Sequence, residues 1–88
     1  MPKESMARRR TKASEKSIAR QKAVGARLRY IREHRGLSLA DICKRLDPPL
    51  GSRMTLVRWE TGENAISIDR LEQLAAILKI NPGDLLGY

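Results

Sequence analysis

The chain has 88 residues and a formal net charge of +8, from 18 Lys and Arg against 10 Asp and Glu. This length holds one small domain, or a smaller domain with a tail. No apolar run approaches the roughly 20 residues of a membrane-spanning helix, and the N-terminus lacks the apolar segment of a secretory signal. The single cysteine excludes an internal disulfide and a zinc cluster of cysteines.

The positive charge is concentrated at the N-terminus. Residues 1–22 contain eight basic and two acidic residues, a formal charge of +6, which leaves +2 for residues 23–88. Such a basic stretch is typical of proteins that bind nucleic acid or an anionic membrane. Residues 1–17 lack apolar periodicity, so they cannot bury enough surface to offset the loss of chain entropy. We predict a flexible basic arm over residues 1–17 and a folded domain over residues 18–88.

Apolar spacing and helix-end signals predict the first two helices. A helix over about 17–35 has its apolar residues on one face. These residues are Val24, Leu28 and Ile31. Ser38 is a candidate N-cap for a second helix over about 39–46, and Asp41 gives it a near capping box. The second helix ends before Pro48, because a residue that precedes proline disfavours the helical conformation.

Three more helices are predicted in the second half of the chain. Ser52 caps a third helix over about 53–61, and Ser67 caps a fourth. The apolar stripe of the fourth helix comprises Ile68, Leu71, Leu74, Ala75 and Leu78. Asn81 followed by Pro82 is a typical start for a short fifth helix. Since no run of alternating residues suggests a strand, the predicted fold class is all-α, a compact bundle of five helices.

Three stretches contain the most specific pattern of the chain: VGARLRYIREHRGLSLADICKRL, SRMTLVRWETG and SIDRLEQLAAILKINPGDLL. Within them, Arg32, the run from Trp59 to Gly62, and the pair Asn81-Pro82 are the most telling. Together the stretches resemble the Cro/C1-type (Xre-like) helix-turn-helix family over about residues 23–87. The resemblance implies a lambda-repressor-like DNA-binding domain, with helix 3 in the DNA major groove and helix 2 lying across it.

Matched by position to the family, helix 3 becomes the recognition helix, and its outward face supplies the base contacts. The candidates are Arg53, Met54, Val57 and Arg58. An arginine can donate two hydrogen bonds to guanine O6 and N7, and Met54 or Val57 can contact a thymine methyl group. In the alternative interpretation Arg53 and Arg58 bind only phosphate, Met54 is a loosely packed surface residue, and Val57 packs against helix 2. Ser52 and Thr55 are expected to bind phosphate.

The sequence departs from the family pattern at three places. Leu39 replaces a glutamine that usually binds phosphate, the DPPLGS turn is longer than usual, and the loop Glu63-Asn64-Ala65 lacks basic residues. The arm is therefore expected to provide much of the phosphate binding. Its phosphate-contact candidates are Arg8, Arg9, Arg10 and Lys12. The alternative is a solvated tail that aids solubility.

The resemblance also implies a structural ion pair between Arg32 of helix 1 and Glu60 of helix 3. Enzyme chemistry finds no support, because His34 has no catalytic or metal partner in the sequence and no glycine-rich phosphate loop exists. Cys43 is interpreted as a small buried residue. We predict a protein that is not an enzyme and that binds no cofactor and no metal.

The first functional hypothesis is a sequence-specific, double-stranded DNA-binding transcriptional regulator that acts as a homodimer on an inverted repeat. Candidates for the dimer surface are Ile77, Ile80, Leu85, Leu86 and Tyr88, with completion of the monomer core as the alternative. The arm lacks apolar anchors, so no membrane partner is expected. The expected localisation is cytoplasmic and nucleoid-associated.

The second hypothesis is an antitoxin or adaptor that also binds DNA. Such a protein would contact a toxin or the transcription machinery through the arm or the Pro48-Pro49-Leu50 loop, and copurification with that partner would discriminate it. A third hypothesis is non-specific nucleic-acid binding, including RNA. It is weaker because the chain has only three aromatic residues, too few for the stacking platform that single-strand binding uses.

Overall fold

The computed structural model describes the backbone of residues 2–87 and the side chains of residues 15–87. Five helices follow one another: α1 Pro2–His34, α2 Leu39–Arg45, α3 Arg53–Thr61, α4 Ile68–Leu78 and α5 Pro82–Leu86. No strand occurs within residues 2–87. The predicted all-α, five-helix fold is confirmed.

The first helix is longer than its apolar pattern indicates. It begins at Pro2, whereas the sequence predicts a start near residue 17. Proline is tolerated in the first turn of a helix, and no proline interrupts the chain between that turn and His34. The side chains of Arg8, Arg9, Arg10 and Lys12 lie outside the described residues, and the flexibility of the arm stays a prediction.

Serine hydroxyls cap α2, α3 and α4. Ser38 accepts from Asp41 N at 3.0 Å, and Asp41 Oδ2 accepts in return from Ser38 N at 2.9 Å. Ser52 accepts from Met54 N and Ser67 from Arg70 N. The bonds from Ser38 lower the pKa of Asp41. The capping box therefore stabilises the fold at neutral pH, and its contribution is lost as the pH falls through that lowered pKa.

A small aliphatic core lies where the helices meet. Its largest fully buried side chains are Leu28, Ile42, Leu46, Leu56, Leu74, Leu78 and Leu85. Trp59, 7% exposed, joins them from α3. Ile68 was predicted in the apolar stripe of α4 but is 77% exposed. It is the first residue of its helix, where the core no longer covers that stripe.

α1 packs closely against the backbone of α3 at Gly25. A Cβ atom at this position would lie 2.5 Å from the backbone oxygen of Glu60 and would also overlap the backbone oxygen of Trp59. Near the end of α3, Gln21 Nε2 donates to Gly62 O at 3.1 Å. Gly62 has a positive φ of 79° and lies against the backbone of Lys22. One side of α3 is therefore packed directly on α1.

Candidate nucleic-acid interface

α3 has one buried face and one exposed face. Leu56, Trp59 and Glu60 are buried. Arg53, Met54 and Arg58 are all exposed, with Met54 at 52%. Met54 and Arg58 lie opposite the buried residues, whereas Arg53 lies at the edge of the exposed face, about 20° from Glu60 in projection and two turns before it. At 100° per residue, these three positions span about 140° of the helix circumference. The structure therefore brings three of the four predicted base-contact residues to one accessible surface, which we call the α3 face.

The remaining α3 candidates are less accessible. Val57, the fourth base-contact candidate, and Thr55, a phosphate-contact candidate, are half-buried. Ser52 is exposed, and its hydroxyl oxygen accepts from Met54 N at 3.1 Å while capping the helix. A hydroxyl that accepts in this way keeps its own hydrogen to donate. Ser52 can therefore cap α3 and donate to a phosphate oxygen at once.

An acidic residue lies beside Arg58. Arg58 Nε and Glu63 Oε2 are 4.0 Å apart, and the two side chains are 47% and 66% exposed. Exposed pairs of this kind contribute little to stability. Arg58 therefore remains available to an anionic ligand, and Glu63 opposes phosphate in the loop that follows α3.

A bidentate ion pair holds the buried side of α3. Arg32 Nε donates to Glu60 Oε2 at 2.6 Å and Arg32 Nη2 donates to Glu60 Oε1 at 3.2 Å. The two side chains are only 12% and 6% exposed. Arg32 Nη1 also donates to Leu37 O at 2.9 Å. The hydrogen bond with Glu60 raises the pKa of Arg32, so the guanidinium group stays charged. Through these hydrogen bonds Arg32 joins α1 to α3 and to the α1–α2 turn.

Two residues that the sequence did not single out support the turn before α3. Gln73 and Arg70 of α4 form hydrogen bonds with the backbone of Asp47 and Pro48. These partners lie at least 22 positions apart in the chain. No local signal in the sequence connects such distant residues.

Leu39, the residue at the first position of α2, belongs to the core. It is half-buried and packs against the core cluster. An apolar side chain in this place offers no hydrogen-bond donor to a phosphate. Within α2 and α3, the exposed side chains that can donate to a phosphate include Lys44 and Arg45 of α2 and Ser52, Arg53 and Arg58 on and just before α3.

Other reactive side chains have ordinary environments. His34 stacks on Tyr30 with the ring centroids 4.2 Å apart, and Cys43 is buried. Burial raises the pKa of the Cys43 thiol, which disfavours the reactive thiolate. Among residues with described side chains, no group of histidine, cysteine and acidic residues is arranged to hold a metal ion. No helix in the described part of the chain is long and apolar enough to cross a membrane.

Two short helices joined by a turn, with the second exposing a polar and basic face, define the helix-turn-helix class of DNA-binding domain. The helix-turn-helix family model matches residues 28–85, more than half of the chain. The chain therefore belongs to the Cro/C1-type helix-turn-helix family, as its sequence resemblance predicts. The family implies double-stranded DNA as the partner. Neither a curated protein nor a solved structure matches the chain.

Proposed function

We propose that this protein is a sequence-specific transcriptional regulator that reads the major groove of double-stranded DNA with α3. The observation that carries the proposal is the α3 face: Arg53, Met54 and Arg58 are exposed while the opposite side of the helix is packed on α1. An α-helix fits the major groove, where each base pair presents a distinct pattern of donors and acceptors.

Each residue on and beside the α3 face has a role in this proposal. Arg53 lies at the N-terminus of α3, the part of a recognition helix that contacts base edges. It donates two hydrogen bonds to a guanine, and Met54 contacts a thymine methyl group beside it. Arg58 reads a second base, and Val57, half-buried, contributes only its exposed edge. Ser52 and Thr55 bind the flanking phosphates.

The N-terminal arm holds the protein on the DNA backbone. The +6 charge of residues 1–22 supports this role, as do the apolar Leu39 at the start of α2 and the acidic Glu63 that follows α3. Arg8, Arg9, Arg10 and Lys12 bind phosphates or enter a groove, as the basic arms of other DNA-binding domains do.

A second copy of the chain completes the DNA-binding unit. Ile68 and Leu86 are 77% and 40% exposed, and they border an apolar groove of about 210 Å³ that Val24 and Ile66 also line. Exposed apolar residues around a groove are typical of protein–protein contact surfaces. We therefore propose this groove as the homodimer interface.

The structure revises the earlier candidates for that interface. Leu85 is fully buried, so it completes the core and its prediction as a dimer contact is wrong. Ile77 and Ile80 are half-buried and pack against the core. Leu86 remains a candidate, and Tyr88 lies outside the described residues.

Selection of bound fragments from a random DNA pool tests the proposed function. We expect enrichment of an inverted repeat whose half-sites lie about one helical turn, roughly 34 Å, apart. An enriched single half-site would contradict the homodimer alone. A pool that remains random after selection would contradict sequence-specific recognition.

Arg53→Ala is expected to reduce discrimination at one base step. Loss of a bidentate contact to guanine costs about 1–3 kcal/mol at the preferred base and little at the others. Equilibrium binding to the selected sequence and to its single-base variants measures the difference. Arg29→Ala is the control. It also removes an exposed arginine, but from α1 rather than from α3, so it should not alter base preference. Equal weakening on every sequence by Arg53→Ala would make Arg53 a phosphate ligand.

Neutralising the arm is expected to reduce the salt dependence of DNA binding. Replacing Arg8, Arg9, Arg10 and Lys12 by glutamine keeps the full chain, including Gln21, which contacts Gly62. Each phosphate contact that is lost makes the negative slope of log affinity against log salt concentration shallower by about 0.9. Binding measured at several salt concentrations gives this slope. Lys79→Gln at the end of α4 is the control, and an unchanged slope in the arm variant would contradict the role of the arm.

A further inference from the structure

The turn between α2 and α3, residues 46–52, is held by α4 as well as by the helices that it joins. The side-chain amide of Gln73 pairs with both backbone groups of Asp47. Gln73 Oε1 accepts from Asp47 N at 3.0 Å, and Gln73 Nε2 donates to Asp47 O at 2.9 Å. Arg70 Nη1 donates to the next carbonyl, Pro48 O, at 2.7 Å. We call this set of contacts the turn clamp.

The clamp residues also fix one another. Arg70 Nη1 donates to Gln73 Oε1 at 3.1 Å, and Gln73 Nε2 donates to Asp69 Oδ2 at 3.0 Å. Each polar atom of the Gln73 amide therefore has two partners, which fixes its orientation. α4 itself is anchored in the core by buried residues that include Leu71 and Leu74. The clamp thus ties the turn to a rigid element.

The turn needs this support because its own backbone offers few donors. Pro48 and Pro49 have no N–H group, and Leu50 N donates back to Cys43 O of α2 at 3.1 Å. A longer connection between two helices allows more relative positions of their ends. The clamp removes part of that freedom at Asp47 and Pro48, about five and four positions before Ser52, the N-cap of α3.

We infer that Arg70 and Gln73 are positioning residues that determine where the N-terminus of α3 lies, and hence which base step Arg53 reaches. This inference rests on the proposed function. Neither residue touches DNA in it. They act through the turn, since Asp47 lies only six positions before Arg53.

The test compares Gln73→Ala with wild type as full-length proteins. The amide is lost, while Leu71, Leu74 and the other core contacts of α4 remain. Glu72→Gln is the matched control, because Glu72 is exposed on the same helix and its change alters only charge. Arg70→Lys is the second variant. It keeps the positive charge and a donor for Pro48 O, but its ammonium group ends a flexible stem and holds Pro48 O and Gln73 Oε1 less rigidly than the planar guanidinium group does.

Two measurements are made on each protein. Amide hydrogen exchange reports whether residues 46–54 open more often while the core amides of α1 and α4 stay protected. Binding to the selected sequence and its single-base variants reports the preference at the step assigned to Arg53. For Gln73→Ala we expect faster exchange in residues 46–54 and a roughly tenfold loss of that preference, with binding to unrelated duplex unchanged. Arg70→Lys should show a smaller loss of the same kind, and Glu72→Gln none.

The possible results distinguish a failure of the positioning role of the clamp from a failure of the proposed function. Wild-type base preference in a folded Gln73→Ala protein would overturn the clamp as a positioning device and leave the proposed function intact. If Gln73→Ala does not fold, Arg70→Lys decides by the same two measurements. A wild-type protein without base preference would overturn the proposed function and the specificity role of the clamp together.

Discussion

Gly25→Ala is expected to lower the free energy of unfolding by about 2–3 kcal/mol. The added methyl group would meet two backbone oxygens of α3, those of Trp59 and Glu60. Backbone atoms cannot rotate away as the end of a side chain can, so the two helices must separate. The better helix propensity of alanine, about 1 kcal/mol, offsets only part of this cost. Urea unfolding monitored by circular dichroism measures the change.

Gly51→Ala is the matched control for this substitution. A Cβ atom at Gly51 would have no neighbour within 4 Å, so the same chemical change meets open space. We expect a change in the free energy of unfolding of less than about 1 kcal/mol. Similar stability of Gly25→Ala and Gly51→Ala would show that α1 and α3 can separate at no cost, which contradicts close packing at Gly25.

Glu60→Ala is expected to lower the free energy of unfolding by about 3 kcal/mol, because it leaves the largely buried Arg32 guanidinium without its anionic partner. Arg32 would keep its hydrogen bond to Leu37 O, which does not neutralise the charge. For a domain of this size the loss corresponds to a fall in melting temperature of roughly 12–24 °C. A thermal melt measures it.

Two further variants distinguish burial of the pair from a general effect of charge. Glu33→Ala also removes one negative charge, but Glu33 forms an exposed pair with Arg29, so the expected change is below about 1 kcal/mol. The double variant Arg32→Met/Glu60→Leu removes both charges and is expected to be more stable than Glu60→Ala. A melt of Glu60→Ala that matches the Glu33→Ala melt would contradict the structural role of the pair.

Helix starts could be predicted because their causes are local. Ser38, Ser52 and Ser67 each accept from a backbone N–H only two or three residues further on, so a short stretch of sequence contains both partners. The start of α1 was missed for a related reason. Apolar periodicity marks the part of a helix that packs on a core, and it carries no information about a helix that continues beyond that core.

Contacts between residues that are distant in the chain could not be predicted from local sequence patterns. In the sequence, Gln73 is an ordinary polar residue of an amphipathic helix. Its contact with Asp47, 26 positions away, is visible only in the structure. Gly25 likewise looks like a weak point in α1 until the backbone of α3 is seen against it. Arg32 and Glu60 are 28 positions apart, and only the resemblance to a family suggested their pairing. Which helices meet is a property of the whole fold.

The packing of α3 determines which of its residues can change without loss of stability. The contacts that hold the helix leave from one side, through Glu60, Gly62 and the backbone that faces Gly25. Substitutions at the exposed residues Arg53 and Met54 should alter stability by no more than about 0.5 kcal/mol, as is usual for exposed positions. The packing and the proposed DNA recognition thus depend on different residues of one nine-residue helix. Under the proposed function, new DNA preferences can therefore be selected or designed on this scaffold without rebuilding its core.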